Sequence, residues 1–246
     1  MSQGSGCDQP HISAIVPVLN ESRHIDETLT ALKWMSGIQE IIVVDGGSRD
    51  DTCCRAAAHG VILLASPPGR GPQMHVGALA AQEDVLWFLH ADTVPAADAP
   101  SAIFTALADP SIIAGNCEVQ FSGELLSARF LTWVYRHVAL FGLRYGDSGY
   151  FVRREDYFAA GGFKPYPIFE DLDLLKRLRK RGRFVRIPVT VTTSSRRFEG
   201  RSFAAVVALW ALLQMLYWFG ASPTLLGRFY RPIRAPGRWW RRSVVP

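Results

Sequence analysis

The amino-acid sequence predicts an α/β fold: a mostly parallel sheet flanked by helices, followed by an apolar helix and a basic tail. Apolar β-formers recur in short unbroken runs such as Ile41-Ile42-Val43-Val44, the pattern of strands covered on both faces. Helical stretches separate these runs, giving a β-α-β-α-β order whose crossovers are right-handed. Hydrophobic residues make up 48% of the 246, enough to bury a substantial core in one α/β domain with an appendage.

Residues 12–18 read as the first strand, ending at Pro17-Val18-Leu19-Asn20-Glu21, with Asn20 placed to cap a helix running to about 34. The second strand ends at Asp45. There Gly46 and Gly47 let the backbone turn sharply and approach a ligand, while Asp50, Asp51 and Thr52 can cap the following helix. That helix, about 51–59, stops at Gly60, and residues 61–64 form a third strand. Gly69-Arg70-Gly71-Pro72-Gln73-Met74 opens a helix through 81, and a fourth strand at 85–89 leads into His90-Ala91-Asp92. A helix near 97–107 and a strand near 112–121 follow.

The pattern then changes. Residues 124–143 read as a long helix with Arg129 and Arg136 on one face. Gly146-Asp147-Ser148-Gly149 opens a strand at 150–153, and a short helix ends at Gly161-Gly162. A basic helix at 172–181 starts just after Glu170-Asp171 and is closed by Gly182; the last strand spans 184–193. Residues 202–219 form an almost uninterrupted apolar helix.

The formal net charge of +5 is unevenly placed, because Arg228, Arg231, Arg234, Arg238, Arg241 and Arg242 crowd one end. A globally basic nucleic-acid-binding domain is not implied, whereas a basic tail touching anionic lipid fits. Cys7, Cys53, Cys54 and Cys117 show neither metal-ligand spacing nor a disulfide-dense pattern, which points to unpaired thiols in a reducing, cytoplasmic compartment. Residues 1–10 lack the apolar stretch of a secretory signal and read as a disordered leader. Residues 203–221 have the length to span a bilayer, but arginines flank both ends: Arg196, Arg197 and Arg201 before, Arg228 onward after. Peripheral attachment to the inner membrane face escapes that conflict; a buried core or dimer helix is the other reading.

Ligands of parallel sheets collect at the carboxyl ends of the strands, where Asp45 and Asp92 stand. Together with Asp171 at a helix start, they suit a sugar-nucleotide enzyme: one carboxylate for the nucleoside, one for a cation on the diphosphate, one to deprotonate a hydroxyl. Mg²⁺ or Mn²⁺ can use a single carboxylate when phosphate oxygens and waters complete its shell. The plainer readings are a capping Asp45, a turn-forming Asp147, solvated Arg196 and Arg197, and Glu170, Asp171 and Asp173 as acids favoured by a helix dipole.

The segments Ile15-Val16-Pro17-Val18-Leu19-Asn20-Glu21, Val44-Asp45-Gly46-Gly47-Ser48-Arg49-Asp50-Asp51-Thr52, His90-Ala91-Asp92-Thr93, Gly146-Asp147-Ser148-Gly149, Gly161-Gly162-Phe163 and Glu170-Asp171 resemble glycosyltransferase family 2. The resemblance covers roughly residues 12–200. It implies the Rossmann-like A-type fold and an inverting transfer from a nucleotide-diphosphate sugar to a hydroxyl acceptor on a small molecule, lipid or glycan. By that resemblance Pro17, Glu21 and Asp45 line the nucleoside pocket, with Asn20 and Gly47 in the same donor-binding set. Arg70 approaches nucleobase or phosphate, Arg197 meets the diphosphate, Asp92 holds Mg²⁺ or Mn²⁺, and Asp171 is the general base. Asp147 and Glu170 belong to the acceptor side.

At residue 90 the chain departs from the family pattern, since His90 replaces the usual first acid of an Asp-x-Asp pair. Metal dependence then hangs on Asp92, with His90 either an imidazole ligand or a hydrogen-bonded structural residue. Gly69-Arg70-Gly71-Pro72-Gln73-Met74, Phe88-Leu89-His90-Ala91-Asp92-Thr93 and Ser195-Arg196-Arg197-Phe198 look like a bacterial subfamily found beside radical-SAM/selenodomain proteins and linked with arsenosugar formation. The expected organisation is a catalytic domain at 11–200, with a nucleotide-binding half to about 95 and an acceptor half beyond it, then the helix and tail at 201–246. A nucleotidyltransferase would carry a glycine-rich signature where Pro17-Val18-Leu19-Asn20-Glu21 stands, and a noncatalytic nucleotide-binding membrane scaffold would lack Asp92 or Asp171.

Overall fold

The computed structural model describes residues 11–122, 148–194 and 203–229. The chain runs β1 (Ile12–Val18), α1 (Ile25–Lys33), β2 (Ile38–Asp45), α2 (Thr52–Ala58), β3 (Ile62–Ala65), α3 (Arg70–Ala80), β4 (Val85–Phe88), β5 (Thr93–Pro95) and α4 (Ala99–Leu107). It continues through β6 (Ile112–Ser122), β7 (Tyr150–Arg153), α5 (Arg154–Ala159), α6 (Glu170–Leu178), β8 (Arg183–Ser194), α7 (Phe203–Trp218) and α8 (Pro223–Leu226). The strands form one sheet in the order β3-β2-β1-β4-β7-β6-β8-β5.

The first four strands in that order are parallel, as the unbroken apolar runs require. Both faces of this half are covered. Ile15, Ile42, Val44, Leu86 and Phe88 pack with Met74 and Ala78 of α3 and with the leucines of α6. Ala14, Val16, Val43 and Trp87 pack on the other side with Ile25, Leu29 and Leu32 of α1. Beyond β4 the sheet is mixed: β7 runs antiparallel to β4 and β6, β6 pairs parallel with β8, and β5 closes the edge antiparallel to β8. The three-residue β5 is too short to show a periodicity, which is why the sequence reads as loop there.

Three boundaries differ from the sequence reading. Asn20 does not cap α1; it adopts a left-handed φ of 54°, and α1 begins only at Ile25. The helix expected at 172–181 is α6, which starts at Glu170, so Glu170 and Asp171 are its first residues rather than a preceding loop. The apolar run 203–221 splits, with α7 ending at Trp218, Gly220 at φ 91° and the Ala221 amide returning to the Leu216 carbonyl. Sixteen residues rise only about 24 Å, short of a hydrocarbon core of about 30 Å. No helix among the described residues is long and apolar enough to cross a membrane. The leader, the expected helix at 124–143, Asp147, the Ser195-Arg196-Arg197 run and the tail after 229 lie outside the described residues.

Candidate active site

β1 lies between β2 and β4, and its register pairs Val18 with Asp45 and Ile15 with Phe88. The loops at Leu19–Glu21, Asp45–Ser48 and Leu89–Asp92 therefore leave the same edge of the sheet. Pro17 stays in β1 opposite Val44. Hydrogen bonds stitch the first two loops together. The Asn20 amide donates to Ser48 Oγ at 2.9 Å, the Glu21 amide to Thr52 Oγ1 at 2.7 Å, and the Arg49 amide to Asn20 Oδ1 at 2.9 Å. Asn20 thus bridges loop to loop, which explains its left-handed backbone, a conformation that asparagine tolerates.

Asp45 accepts the Gly47 and Ser48 amides, each at 3.0 Å, so the turn fixes its carboxylate. Gly47 has φ 97°, a value that side-chain-bearing residues avoid. Cys53 lies against Asp45: burial first, then the charge and hydrogen bond of Asp45, push its thiol up to about 11. Beneath both loops the buried Gln73 donates its amide hydrogens to the carbonyls of Val18 at 2.8 Å and Val44 at 2.7 Å. A Cβ on Gly46 would stand 3.0 Å from that amide.

The start of α3 reaches toward the second half of the site. A Cβ on Gly71 would stand 2.3 Å from the Lys164 carbonyl and 3.5 Å from Glu170 Cβ, so glycine permits a backbone-to-backbone approach. Arg70, the first residue of α3, is thereby brought beside the start of α6. The loop before α6 is pinned at several points. Tyr157 Oη accepts the Phe163 amide and pairs with His75 Nδ1, both at 3.0 Å, and Arg177 donates to the carbonyls of Ala160 and Gly162. Phe169 precedes α6 with a left-handed φ of 63°, its ring 4.8 Å from that of Tyr217 on α7. Glu170 and Asp171 are both buried. Two adjacent buried carboxylates are costly unless hydrogen-bonded or put to use. The Leu172 amide donates to Asp171 Oδ1 at 2.7 Å.

Asp92 follows β4 on the neighbouring loop, half-buried. Its carbonyl accepts the Ser194 amide at 3.3 Å, and Thr93 Oγ1 bonds Thr193 Oγ1 at 3.1 Å. The end of β8, just before the Ser195-Arg196-Arg197 run, is thus fixed beside it. Asp92 borders a cavity of about 410 Å³ together with His24, Glu27, Thr28, Ser122 and Ser194. Neither Asp45 nor Asp171 lines that cavity. Among the described residues no three metal-ligating side chains cluster. The carboxylate of Asp92 is an oxygen donor of the kind that hard cations accept.

Asn20, Glu21, Asp45 and Gly47 therefore share one stitched pair of loops, Asp92 stands on the next strand end, and Gly71 joins Arg70 to Glu170. Gln73 and Tyr157, which organise these pieces, carried no sequence assignment; only the position of Gln73 inside the Gly69–Met74 motif hinted at one. A parallel half-sheet ending in Asp45 and Asp92, with a mixed second half carrying Glu170 and Asp171, is the architecture of an A-type glycosyltransferase. The chain belongs to glycosyl transferase family 2, whose family model matches residues 13–166, more than half of its length.

An uncharacterized glycosyltransferase of Mycobacterium bovis is 34% identical over 94 residues, 37% of this chain and 42% of that protein. Glucosyl-3-phosphoglycerate synthase of Mycolicibacterium smegmatis is 28% identical over 94 residues, 34% of this chain and 31% of that protein. The chain thus matches less than half the length of these curated relatives. Among solved structures, the mannosyltransferase of Pyrobaculum calidifontis in complex with GDP-Man and Mn²⁺ superposes with a TM-score of 0.65 at 19% identity, covering 91% of this chain and 70% of that one. The glucosyl-3-phosphoglycerate synthase of Mycobacterium tuberculosis with Mn²⁺, UDP and phosphoglyceric acid gives 0.58 at 20% identity, covering 87% and 80%. These likenesses establish the fold, and the family model establishes membership of glycosyl transferase family 2.

Proposed function

We propose an inverting transfer of a sugar from a nucleotide-diphosphate donor to a hydroxyl acceptor, with Asp171 as general base. The observation that carries this reading is the burial of Glu170 and Asp171 in the first turn of α6, against the start of α3. Pro17, Asn20, Glu21, Asp45 and Gly47 form the nucleoside side. Arg70 and Arg197 serve the diphosphate, and Asp92, with His90 near it, holds Mg²⁺ or Mn²⁺. The cation, when bound, neutralises charge on the departing diphosphate. Asp171 takes the acceptor proton as its oxygen forms the new bond to the anomeric carbon, and the carbon–oxygen bond to the diphosphate breaks on the opposite face with its electron pair. Asp147 and Glu170 orient the acceptor.

The nucleotides named with structural neighbours, the sugar donors GDP-Man and UDP-GlcNAc and the nucleoside diphosphate UDP, support a nucleotide-sugar donor. The Gly69–Met74, Phe88–Thr93 and Ser195–Phe198 motifs support the radical-SAM/selenodomain-associated subfamily, with donor binding by residues 11–95, acceptor binding by 96–200, and a cytoplasmic setting. A thermal-shift screen of nucleotide sugars with and without Mn²⁺ identifies the donor, because a ligand that binds only the folded state raises the melting temperature. With that donor, Asp171→Asn is expected to slow transfer by about a hundredfold or more while retaining donor binding. Equal turnover of mutant and wild type would remove Asp171 from the mechanism.

A further inference from the structure

The helix α6, whose second residue is Asp171, starts in an unusual way. Its N-cap is Phe169, a side chain with no oxygen to accept the free amides of the first turn, where serine, threonine, asparagine or aspartate ordinarily stands. The backbone there is left-handed, φ 63° and ψ 20°, a conformation that a bulky side chain avoids and that persists only where the surrounding packing enforces it. The Phe169 carbonyl accepts the Asp173 amide at 3.0 Å, so the first turn of α6 hangs from this residue.

The C-terminal helices supply the packing. Tyr217 of α7 lays its ring 4.8 Å from that of Phe169, with 32° between the planes, inside the range of favourable aromatic pairs. Leu213, one turn earlier on α7, and Leu226 of α8 are buried in the same apolar cluster as Phe169 and Leu172. Gly227 lies so close to Pro167 that a Cβ on it would overlap the proline ring. Pro167 and Phe169, both on the segment leading into α6, are thus each covered by the C-terminal helices. The phenol of Tyr217 lies in the field of the carboxylates on the first turn: burial first, then the charges of Asp173 and Asp171, raise its hydroxyl above the ordinary value. Phe169 and Tyr217 both lie beyond residues 13–166, the part that the family model matches, so the motifs of that part do not account for the contact.

We infer that Tyr217 is a positioning residue for the reaction: its ring holds Phe169 in the left-handed conformation that aims the first turn of α6, and with it the Asp171 carboxylate. The inference rests on the reading of Asp171 as general base given above. Through its inner face α7 then serves the transfer, acting by way of Phe169 rather than on the substrate.

The test is hydrogen–deuterium exchange of the full chain, read by mass spectrometry over residues 167–175, beside the melting temperature and the turnover of the donor found in the thermal-shift screen, with water as acceptor. Tyr217→Leu keeps apolar bulk but not the flat ring. It should melt near the wild type while exchange over 167–175 quickens by about tenfold, the scale of one aromatic pair. Its kcat should fall by about tenfold or more with the KM of the donor unchanged, since the nucleoside loops stand elsewhere. Tyr217→Phe retains the ring and should restore both. Leu29→Ala, in the core on the other face of the sheet, should lower the melting temperature without quickening exchange at 167–175. In a Phe169→Gly background, where glycine takes the left-handed backbone without strain, Tyr217→Leu should change nothing further. Exchange at 167–175 that Tyr217→Leu leaves as in the wild type overturns the inference whatever Asp171 does. So does a Tyr217→Phe protein as impaired as Tyr217→Leu, or a kcat that Tyr217→Leu leaves intact where Asp171→Asn abolishes turnover. Faster exchange in Tyr217→Leu together with full turnover by Asp171→Asn would instead overturn the base assignment and leave Tyr217 as the residue that orders the start of α6.

Discussion

Asp45 and its neighbour Cys53 set a reactivity that can be checked directly. The thiol ordinarily titrates near 9.0; burial, followed by the charge of Asp45, moves it to about 11. Only the thiolate alkylates, so at about pH 8 iodoacetamide should modify the exposed Cys54 well before Cys53 in the native protein, as read by peptide mass spectrometry. Equal labelling of the two would contradict the packing against Asp45. The sign for stability follows: a folded-state value above the ordinary one gives a contribution that is complete below pH 9.0 and lost as pH rises through about 11. Cys53→Ala should therefore flatten the alkaline decline in melting temperature over that window. On the other strand end, Asp92→Ala should weaken Mn²⁺-dependent binding of the nucleoside diphosphate more than binding of the free nucleoside. Calorimetry separates the two, and an equal loss for both ligands would exclude a cation role for Asp92.

Two residues at the start of α3 hold it in place, Gly71 against the loop before α6 and Gln73 beneath the ends of β1 and β2. Gly71→Ala would drive a Cβ to 2.3 Å from the Lys164 carbonyl, a backbone atom that cannot rotate away. The expected cost is about 1–3 kcal/mol in urea unfolding, with weaker donor binding because α3 must shift away from Glu170. Gln73→Leu removes the donor shared by the Val18 and Val44 carbonyls, at a cost of about 1–3 kcal/mol for the buried groups left unpaired. A Gln73→Leu protein as stable as wild type would show that water replaces the amide. The motif around Gly71 was visible in the sequence, but neither partner was. Lys164 lies far along the chain, and the acceptors of Gln73 are carbonyls of two other strands, which carry no side-chain signature.

Across the molecule, the antiparallel pairing of β4 with β7 joins the parallel half of the sheet to the mixed half. The C-terminal helices then close one face, with Leu213 and Leu226 in the same cluster as Leu172, Leu174, Leu175 and Leu178. Truncation after residue 229 should leave the melting temperature and nucleotide binding nearly unchanged. Truncation after residue 202 should lower stability by several kcal/mol, since burying each large apolar side chain is worth about 1.5–3 kcal/mol. Differential scanning fluorimetry on the two truncated chains distinguishes a core element from an accessory one; equal melting temperatures would mean that α7 contributes nothing to the fold.

The sequence by itself determined the succession of strands and helices through α3 and the placement of Asp45 and Asp92 after parallel strands, because unbroken apolar runs and glycine stops are local signals. It also placed the family, since the motifs keep their order along the chain. Tertiary structure alone decided that Asn20 bridges two loops instead of capping α1, that β5 exists, and that the apolar run 203–221 breaks at Trp218 with one face on the loop before α6. Each of these depends on a partner remote in sequence: the Arg49 amide for Asn20, Thr193 for Thr93 in β5, and Phe169 for Tyr217. A periodic pattern reports which side chains want burial, and only the assembled sheet supplies the surface that buries them.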